Sequence, residues 1–110
     1  AFISSLNSGR ILENAVFVEF KRRGQDVFYF RENNECDFVI REKNRPDMAI
    51  QVTKRLDAQN ENREINGIFE AMKKLKLKKG IIITEDQEDE RMIKGKKIRI
   101  LPVYKWLLED

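Results

Sequence analysis

Apolar residues recur at helical spacing near the start of the chain. Between Ile11 and Phe20 they fall three or four residues apart, which is the spacing of one helix face. Asn7 or Ser8 is expected to cap this helix, and Gly24 is expected to end it, because these residue types favour those positions.

A second helical pattern is followed by a buried-looking strand, and a third, shorter helix is predicted near the end of the chain. The second helix is predicted to begin at Asp57 or Asn60 and to close at Gly80. Pro102 suits the first turn of a helix, so a short terminal helix is predicted over 103–108.

Runs of β-branched and aromatic residues bounded by polar turns predict five strands. The first three are expected to form a small antiparallel meander, because short polar turns separate them. The fourth is almost wholly apolar and follows a helix, which favours parallel pairing in a buried position. The predicted order is αβββαββα, a mixed central sheet flanked by helices in a single α/β domain. The five runs are 27–31, 36–41, 48–54, 81–84 and 97–101.

The composition describes one domain of ordinary size. The chain has 110 residues, of which 41% are hydrophobic and 37% are charged, and no apolar run approaches the roughly 20 residues that span a bilayer. Its formal net charge of +3 is too small to indicate nucleic-acid binding by itself. The chain begins with Ala-Phe-Ile and lacks signal-peptide features, so we expect a domain taken from a longer protein, with no membrane association.

The chain contains no histidine and one cysteine. Without histidine, Ser-His and Cys-His nucleophile pairs and ordinary catalytic zinc sites are excluded within this sequence, so oxygen atoms must hold any metal. Cys36 cannot form an internal disulfide, which fits a reducing cytoplasm. We expect it to be a buried thiol rather than a nucleophile, because strand alternation places it on the face opposite Asp37.

An acidic hairpin carries the strongest chemical signal. If its turn is centred near Asn44, Asp37 lies directly opposite Gln51, and side chains paired in this way sit about 5 Å apart on one face of a sheet. Two oxygen donors at that spacing can share a divalent metal. Glu13 lies beside the apolar face of the first helix and needs a partner there. A metal, the helix dipole and Arg10 remain open as that partner.

The order of elements, with an acid in the first helix and oxygen donors on the second and third strands, resembles the PD-(D/E)XK restriction-endonuclease-like core. Five short segments, taken in their order and spacing, resemble more closely the C-terminal domain, of unknown function, of a family of bacterial and archaeal AAA-type ATPases. This likeness covers nearly the whole chain. It implies an ATPase module in the same longer chain and a fold similar to that of archaeal Holliday-junction resolvases, and it leaves open whether the domain forms a homodimer as resolvases do. The segments are Gly-Arg-Ile-Leu-Glu-Asn at 9–14, Glu-Cys-Asp-Phe-Val at 35–39, Ile-Gln-Val at 50–52, Lys-Gly-Ile-Ile-Ile-Thr at 79–84, and Leu-Pro-Val at 101–103 with Trp-Leu-Leu at 106–108.

The resemblance implies a role for each site residue. Glu13 resembles the acid of the first helix, Asp37 the metal-bridging aspartate and Gln51 the acid of the (D/E)XK motif. Together these three would hold magnesium or manganese. Gln51 lacks the negative charge of an acid, which weakens affinity for a hard cation, and Thr53 occupies the place of the family's lysine. Lys54 is the candidate substitute, although strand alternation points it to the opposite face unless a bulge turns it back or its long stem reaches round the edge. Arg55 is a weaker substitute.

Three functional classes follow from this interpretation. The first is a metal-dependent DNA endonuclease that uses the candidate catalytic residues Glu13, Asp37, Gln51 and Lys54. The second is a nuclease-like domain that has lost catalysis and binds DNA through phosphates, with salt-sensitive affinity. The third is an interaction or regulatory domain that packs on its ATPase or on another protein. The basic residues expected to contact phosphates in the second class are Arg10, Lys21, Arg22, Arg23, Lys54, Arg55 and Arg63.

Overall fold

The computed structural model describes residues 2–109 as a mixed α/β fold. Its elements are α1 (Phe2–Arg22), β1 (Asp26–Arg31), β2 (Glu35–Glu42), β3 (Arg45–Val52), α2 (Glu61–Lys74), β4 (Lys79–Thr84), β5 (Asp89–Ile93), β6 (Lys96–Pro102) and α3 (Val103–Leu108). The strands form one sheet in the order β1-β2-β3-β4-β6-β5. β4 runs parallel to both β3 and β6, and the other neighbouring pairs are antiparallel. The predicted mixed sheet flanked by helices is therefore confirmed.

Two apolar layers cover the two faces of the sheet. On one face, Ile68 of α2 is buried in the same cluster as Ile82 of β4. On the other face, α1 and α3 meet the sheet through aromatic rings, and Phe20 is the centre of this layer. Its ring centroid lies 5.5 Å from that of Phe38 and 5.3 Å from that of Trp106, both in edge-to-face geometry. Packing of these side chains against the sheet fixes the strand ends, where the polar residues of the candidate site lie.

The sheet contains one strand more than the sequence predicts. β5 pairs antiparallel with β6 at the edge of the sheet. Its residues are exposed or half-buried, so the apolar alternation that marks a strand is weak. Lys94 and Gly95 both have positive φ, 49° and 82°, as a two-residue hairpin turn requires. This turn is the sequence signal from which the strand could have been predicted.

The end of α1 is confirmed and its predicted beginning is wrong. The helix starts at Phe2 and continues through Asn7 and Ser8, so neither residue caps it. Gly24 has a φ of 72°, and its N–H donates to the carbonyl oxygen of Lys21 at 3.0 Å, which is a common helix ending. Although α1 has 21 residues, none of the described helices is long and apolar enough to cross a membrane.

Gly80 does not close α2, as the sequence predicts. The helix ends at Lys74, and Lys76 then adopts a φ of 58°. Gly80 instead lies within β4, where a Cβ atom would come within 2.7 Å of Met72 Sδ and 2.9 Å of Ile68 Cδ1. Close packing of the strand on the helix explains this glycine.

The turn of the acidic hairpin lies where the sequence predicts it. Lys43 and Asn44 connect β2 to β3 with φ values of 51° and 64°, and the residues that flank them are paired. β3 ends at Val52, so Thr53 and Lys54 follow the strand rather than lying within it. The predicted span of this strand, 48–54, is therefore too late by two or three residues at each end.

Candidate functional site

The candidate site lies where the ladder between β2 and β3 ends. Phe38 pairs with Ile50, and the next residues outward, Asp37 and Gln51, bond through their side chains. The main-chain N–H of Asp37 donates to Gln51 Oε1 at 2.7 Å, and the main-chain N–H of Val52 donates to Asp37 Oδ2 at 2.8 Å. Asp37 and Gln51 are thus neighbours, but each side chain accepts a hydrogen bond from the main chain of the other strand.

The Gln51 amide connects three elements of the fold. Gln51 is only 3% exposed. Its Nε2 donates to the carbonyl oxygen of Glu35 at 3.0 Å and to that of Glu64 at 3.3 Å, while its oxygen accepts the Asp37 N–H. Glu35 begins β2 and Glu64 lies in the first turn of α2. A carboxylate at this position could not donate to the two carbonyls, so the amide is the side chain that this site requires.

Gly67 allows α2 to approach β2 at this point. A Cβ atom on Gly67 would collide with the carbonyl oxygen of Glu35 and would lie 2.7 Å from Gln51 Nε2. Glycine inside a helix costs about 1 kcal/mol relative to alanine, so its presence needs a packing reason. Close approach supplies that reason, because it brings the Glu64 carbonyl within reach of the Gln51 amide.

Further carboxylates surround Asp37. Burial raises the pKa of Asp37 to about 7; the negative charges of Glu13, Glu64 and Glu35 act in the same direction, and a main-chain hydrogen bond opposes them. Burial also raises the pKa of Glu64. The positive charge of Arg63 opposes this shift, and the negative charge of Glu13 adds to it. Carboxylates from α1, β2 and α2 therefore lie within electrostatic reach of one another.

The predicted magnesium or manganese ligands do not fit together as a metal site in this arrangement. Gln51 Oε1 faces the Asp37 N–H, and the positive end of that donor repels a cation placed beside it. Asp37 Oδ2 already accepts the Val52 N–H. Within residues 2–109, no group of three or more aspartate, glutamate or cysteine residues is placed to hold an ion. A magnesium or manganese site at Glu13, Asp37 and Gln51 stays a prediction of the resemblance.

Lys54 follows the end of β3 and its main chain bonds toward β4. The N–H of Thr53 donates to the Ile83 carbonyl at 3.0 Å, and the Lys54 carbonyl accepts the N–H of Glu85, also at 3.0 Å. No ion pair in the described part of the chain joins Lys54 to Glu13 or Asp37. The structure therefore does not bring this ammonium group together with the carboxylates.

Three of the predicted phosphate-binding residues are tied to carboxylates. Arg22 and Arg23 both pair with Glu19 at 2.7 Å. The Arg23 guanidinium also lies 4.7 Å from the ring centroid of Trp106, so it contributes to the packing of α3. Arg63 lies 3.4 Å from the carboxylate of its neighbour in α2. The predicted residues without an ion pair within residues 2–109 are Arg10, Lys21, Lys54 and Arg55.

Comparison with known proteins places the chain in a family. The family described as "Domain of unknown function (DUF4143)" matches residues 8–106. The chain belongs to the DUF4143 family. It is also 41% identical, over 115 residues, to "Uncharacterized protein MJ1544" of Methanocaldococcus jannaschii. That similarity covers 94% of the chain and 26% of the relative, so the chain spans about a quarter of the relative's length.

Two site residues of this DUF4143 chain are missed by the sequence interpretation, Glu64 and Gly67. They share one helix face with Ile68 and Ala71, at spacings of three, four and seven residues, which is the pattern of a buried face. An acid and a glycine on such a face are both signals, because the acid needs a partner and the glycine indicates close approach. The groups that they contact come from distant strands and could not be deduced from spacing.

Proposed function

We propose that this DUF4143 chain is a nuclease-like domain of an AAA-type ATPase that binds DNA without cleaving it. The observation that carries this proposal is the Gln51 amide, whose two ends bond to main-chain groups of Asp37, Glu35 and Glu64. The position at which the resembling nucleases place a metal-binding acid is used here to join β2, β3 and α2.

The chemistry around Gln51 also favours the loss of cleavage. Hydrolysis of a phosphodiester by a metal-dependent site needs a cation that activates water and stabilises the charge that develops on the phosphate. Thr53 carries no charge, and Lys54 lies past the end of the strand. Negative charge on Glu13, and on Asp37 and Glu64 once they have lost their protons, repels a phosphate that approaches without a cation. Binding elsewhere on the domain is therefore better supported than cleavage at this site.

A metal-dependent DNA nuclease is the second candidate, and Glu64 is the observation that favours it. Burial raises the pKa of Asp37, and the charges of Glu13 and Glu64 raise it further; a divalent cation would relieve that repulsion. In this alternative, Glu64 supplies the negative charge that Gln51 lacks, and the three carboxyl groups move closer together than they lie in the described residues.

A catalytically inactive interaction or regulatory domain is the third candidate. Ile11 and Val18 lie on the outer side of α1 and are 66% and 63% exposed. The chain spans only 26% of its relative from Methanocaldococcus jannaschii, and an exposed apolar helix face is a typical surface for packing against another domain. The ATPase module would be the partner in this alternative.

Cleavage and binding, measured together on branched, duplex and single-stranded DNA with magnesium or manganese, distinguish the three candidates. The variants are Asp37→Asn and Glu64→Gln, and Asp47→Asn is the matched control because Asp47 is an exposed aspartate of β3. We expect binding without cleavage for the wild type and for every variant. Cleavage that is lost in Asp37→Asn and kept in Asp47→Asn would overturn the proposal, and its loss in Glu64→Gln would identify the second candidate. A wild-type chain that binds no DNA would favour the third.

A further inference from the structure

The end of the sheet opposite the candidate site carries a group of lysines. Because β3, β4 and β6 are parallel, their first residues lie at one end of the sheet and their last residues lie at the other, beside Gln51. α2 also finishes near the first residues of β4, and the turn from β5 leads into β6. We define the lysine edge as the exposed lysines of these segments that make no ion pair with the described residues: Lys73, Lys76, Lys78, Lys79 and Lys94.

Contacts between these segments gather the lysines at one end of the sheet. β4 and β6 are paired from their first residues onward. The Lys94 ammonium lies 5.8 Å from the ring centroid of Phe69 in α2, which places the hairpin turn against the helix. Lys96 Nζ donates to the Leu77 carbonyl at 2.9 Å, and this bond ties β6 to the connection between α2 and β4. The lysine edge is therefore built from three segments that meet at one end of the sheet.

The charge of the lysine edge is not neutralised within the described residues. None of its five lysines makes an ion pair there, whereas Lys74 and Lys97 beside them pair with Glu32 and Glu90. Like charges on a shared surface repel one another. A polyanion laid across the edge would relieve this repulsion, and the relief is larger at low salt.

The side chains of the lysine edge suit a polyanion better than a folded protein partner. Protein interfaces are depleted in lysine and depend on buried aromatic or apolar anchors. Among the large apolar residues exposed in the described chain, Met92 is the one in a segment that adjoins the edge. An ammonium on a flexible stem acts as a point charge and needs no fixed geometry, which fits the closely repeated phosphates of a nucleic acid.

We propose that the lysine edge is the surface through which this domain binds nucleic acid, by contacts to phosphates and without reading bases. This inference rests on the proposed DNA binding, but it moves the binding surface away from the residues that the resemblance implies. Five phosphate contacts predict a slope of about −4.5 in a plot of log affinity against log salt, and a loss of roughly 10²- to 10³-fold between about 50 and 200 mM salt.

Fluorescence anisotropy with a labelled DNA duplex tests the proposal, with two variants that each lose four positive charges. The edge variant loses them from the lysine edge, and the rival variant loses them from four of the basic residues predicted from the sequence. The edge variant should lose at least about tenfold in affinity, and its salt slope should become shallower by about 3 to 4. The rival variant should lose less than about threefold. A version of the edge variant with arginine in place of glutamine should keep wild-type binding, because charge alone is required. The edge variant combines Lys73→Gln, Lys76→Gln, Lys78→Gln and Lys79→Gln, and the rival variant combines Arg10→Gln, Lys21→Gln, Lys54→Gln and Arg55→Gln.

The outcomes separate this inference from the proposed function. Equal losses in the two variants would show that binding follows total charge, and a larger loss in the rival variant would place binding at the basic residues predicted from the sequence. Either result overturns the inference and leaves DNA binding in place. A wild-type chain that binds no duplex overturns both. Competition by polyglutamate as strong as that by unlabelled DNA would assign the edge to acidic proteins and would also overturn the inference.

Discussion

At the end of the sheet where β3 finishes, polar side chains point inward and bond to the main chain. At the end where β4 begins, the five lysines of the lysine edge are exposed and make no ion pair with the described residues. Gln51 is 3% exposed and its amide bonds to groups on β2 and α2. The first arrangement holds elements of the fold together, and the second leaves charge available to a partner.

This difference shows that the type of a residue does not by itself determine its role. Asp37 and Gln51 match ligand positions because both carry oxygen atoms, yet the hydrogen bonds that each makes decide what those atoms do. The lysine edge matches no motif, because phosphate binding without base readout needs only charge and exposure. Motif matching therefore identifies the buried residues around Gln51 and does not identify the exposed lysine edge.

Gly67→Ala should have the largest effect on stability, because it would disrupt the hydrogen bonds around Gln51. The added methyl group would collide with the Glu35 carbonyl and would lie 2.7 Å from Gln51 Nε2, so we expect the free energy of unfolding to fall by about 3 kcal/mol or more. Gly9→Ala is the matched control, since outside its own helix backbone and chain neighbours no atom of the described residues lies within 4 Å of its Cβ position, and it should gain up to about 1 kcal/mol. Urea denaturation measures both. Equal stability of the two variants would contradict the close approach of α2 to β2.

Asp37→Asn should have the next largest effect on stability, and the size of this effect should depend on pH. Burial raises the pKa of Asp37 to about 7 from an ordinary value of 3.8. The folded chain therefore keeps this proton to a higher pH than the unfolded chain does, and the free energy of unfolding falls as the pH rises from about 4 to about 7. Asparagine does not titrate and can still accept the Val52 N–H, so the variant should gain on the order of 2 kcal/mol relative to wild type across this window.

Urea denaturation of wild type and Asp37→Asn at about pH 4 and about pH 8 measures this difference. Burial also raises the pKa of Glu64, so the variant should keep a weaker pH dependence of the same sign. Parallel pH curves for the two proteins would contradict the burial of the Asp37 carboxyl group.

Charge removal at the lysine edge should have the smallest effect on stability. Lys73→Gln, Lys76→Gln or Lys78→Gln should each change the free energy of unfolding by less than about 0.5 kcal/mol, as is usual for exposed positions. Arg23→Gln is the contrasting control, because Arg23 pairs with Glu19 and packs on Trp106, and it should cost more than any of the three. A larger loss from a single lysine would show that the edge has a structural role.

Local patterns predict much of the fold but little of the site. The end of α1 at Gly24 and the hairpin turn at Asn44 follow from residues that tolerate positive φ. β5 was hidden because an edge strand with exposed positions has no clear apolar alternation. The role of Gln51 depends on how closely α2 approaches β2, which Gly67 controls through a contact with a residue far away in the sequence. Spacing along the chain contains no information about that distance.

Unfolding of Gln51→Glu with and without manganese tests the central claim most directly. A carboxylate would point oxygen at the Glu35 and Glu64 carbonyls, to which the amide now donates, so we expect a loss of about 2 kcal/mol or more. Gln87→Glu is the matched control, since the Gln87 amide bonds to both main-chain groups of Leu56. We predict that manganese stabilises neither variant. Wild-type stability of Gln51→Glu, or a gain with manganese in it and not in Gln87→Glu, would contradict the claim that position 51 holds the fold together and does not hold a metal.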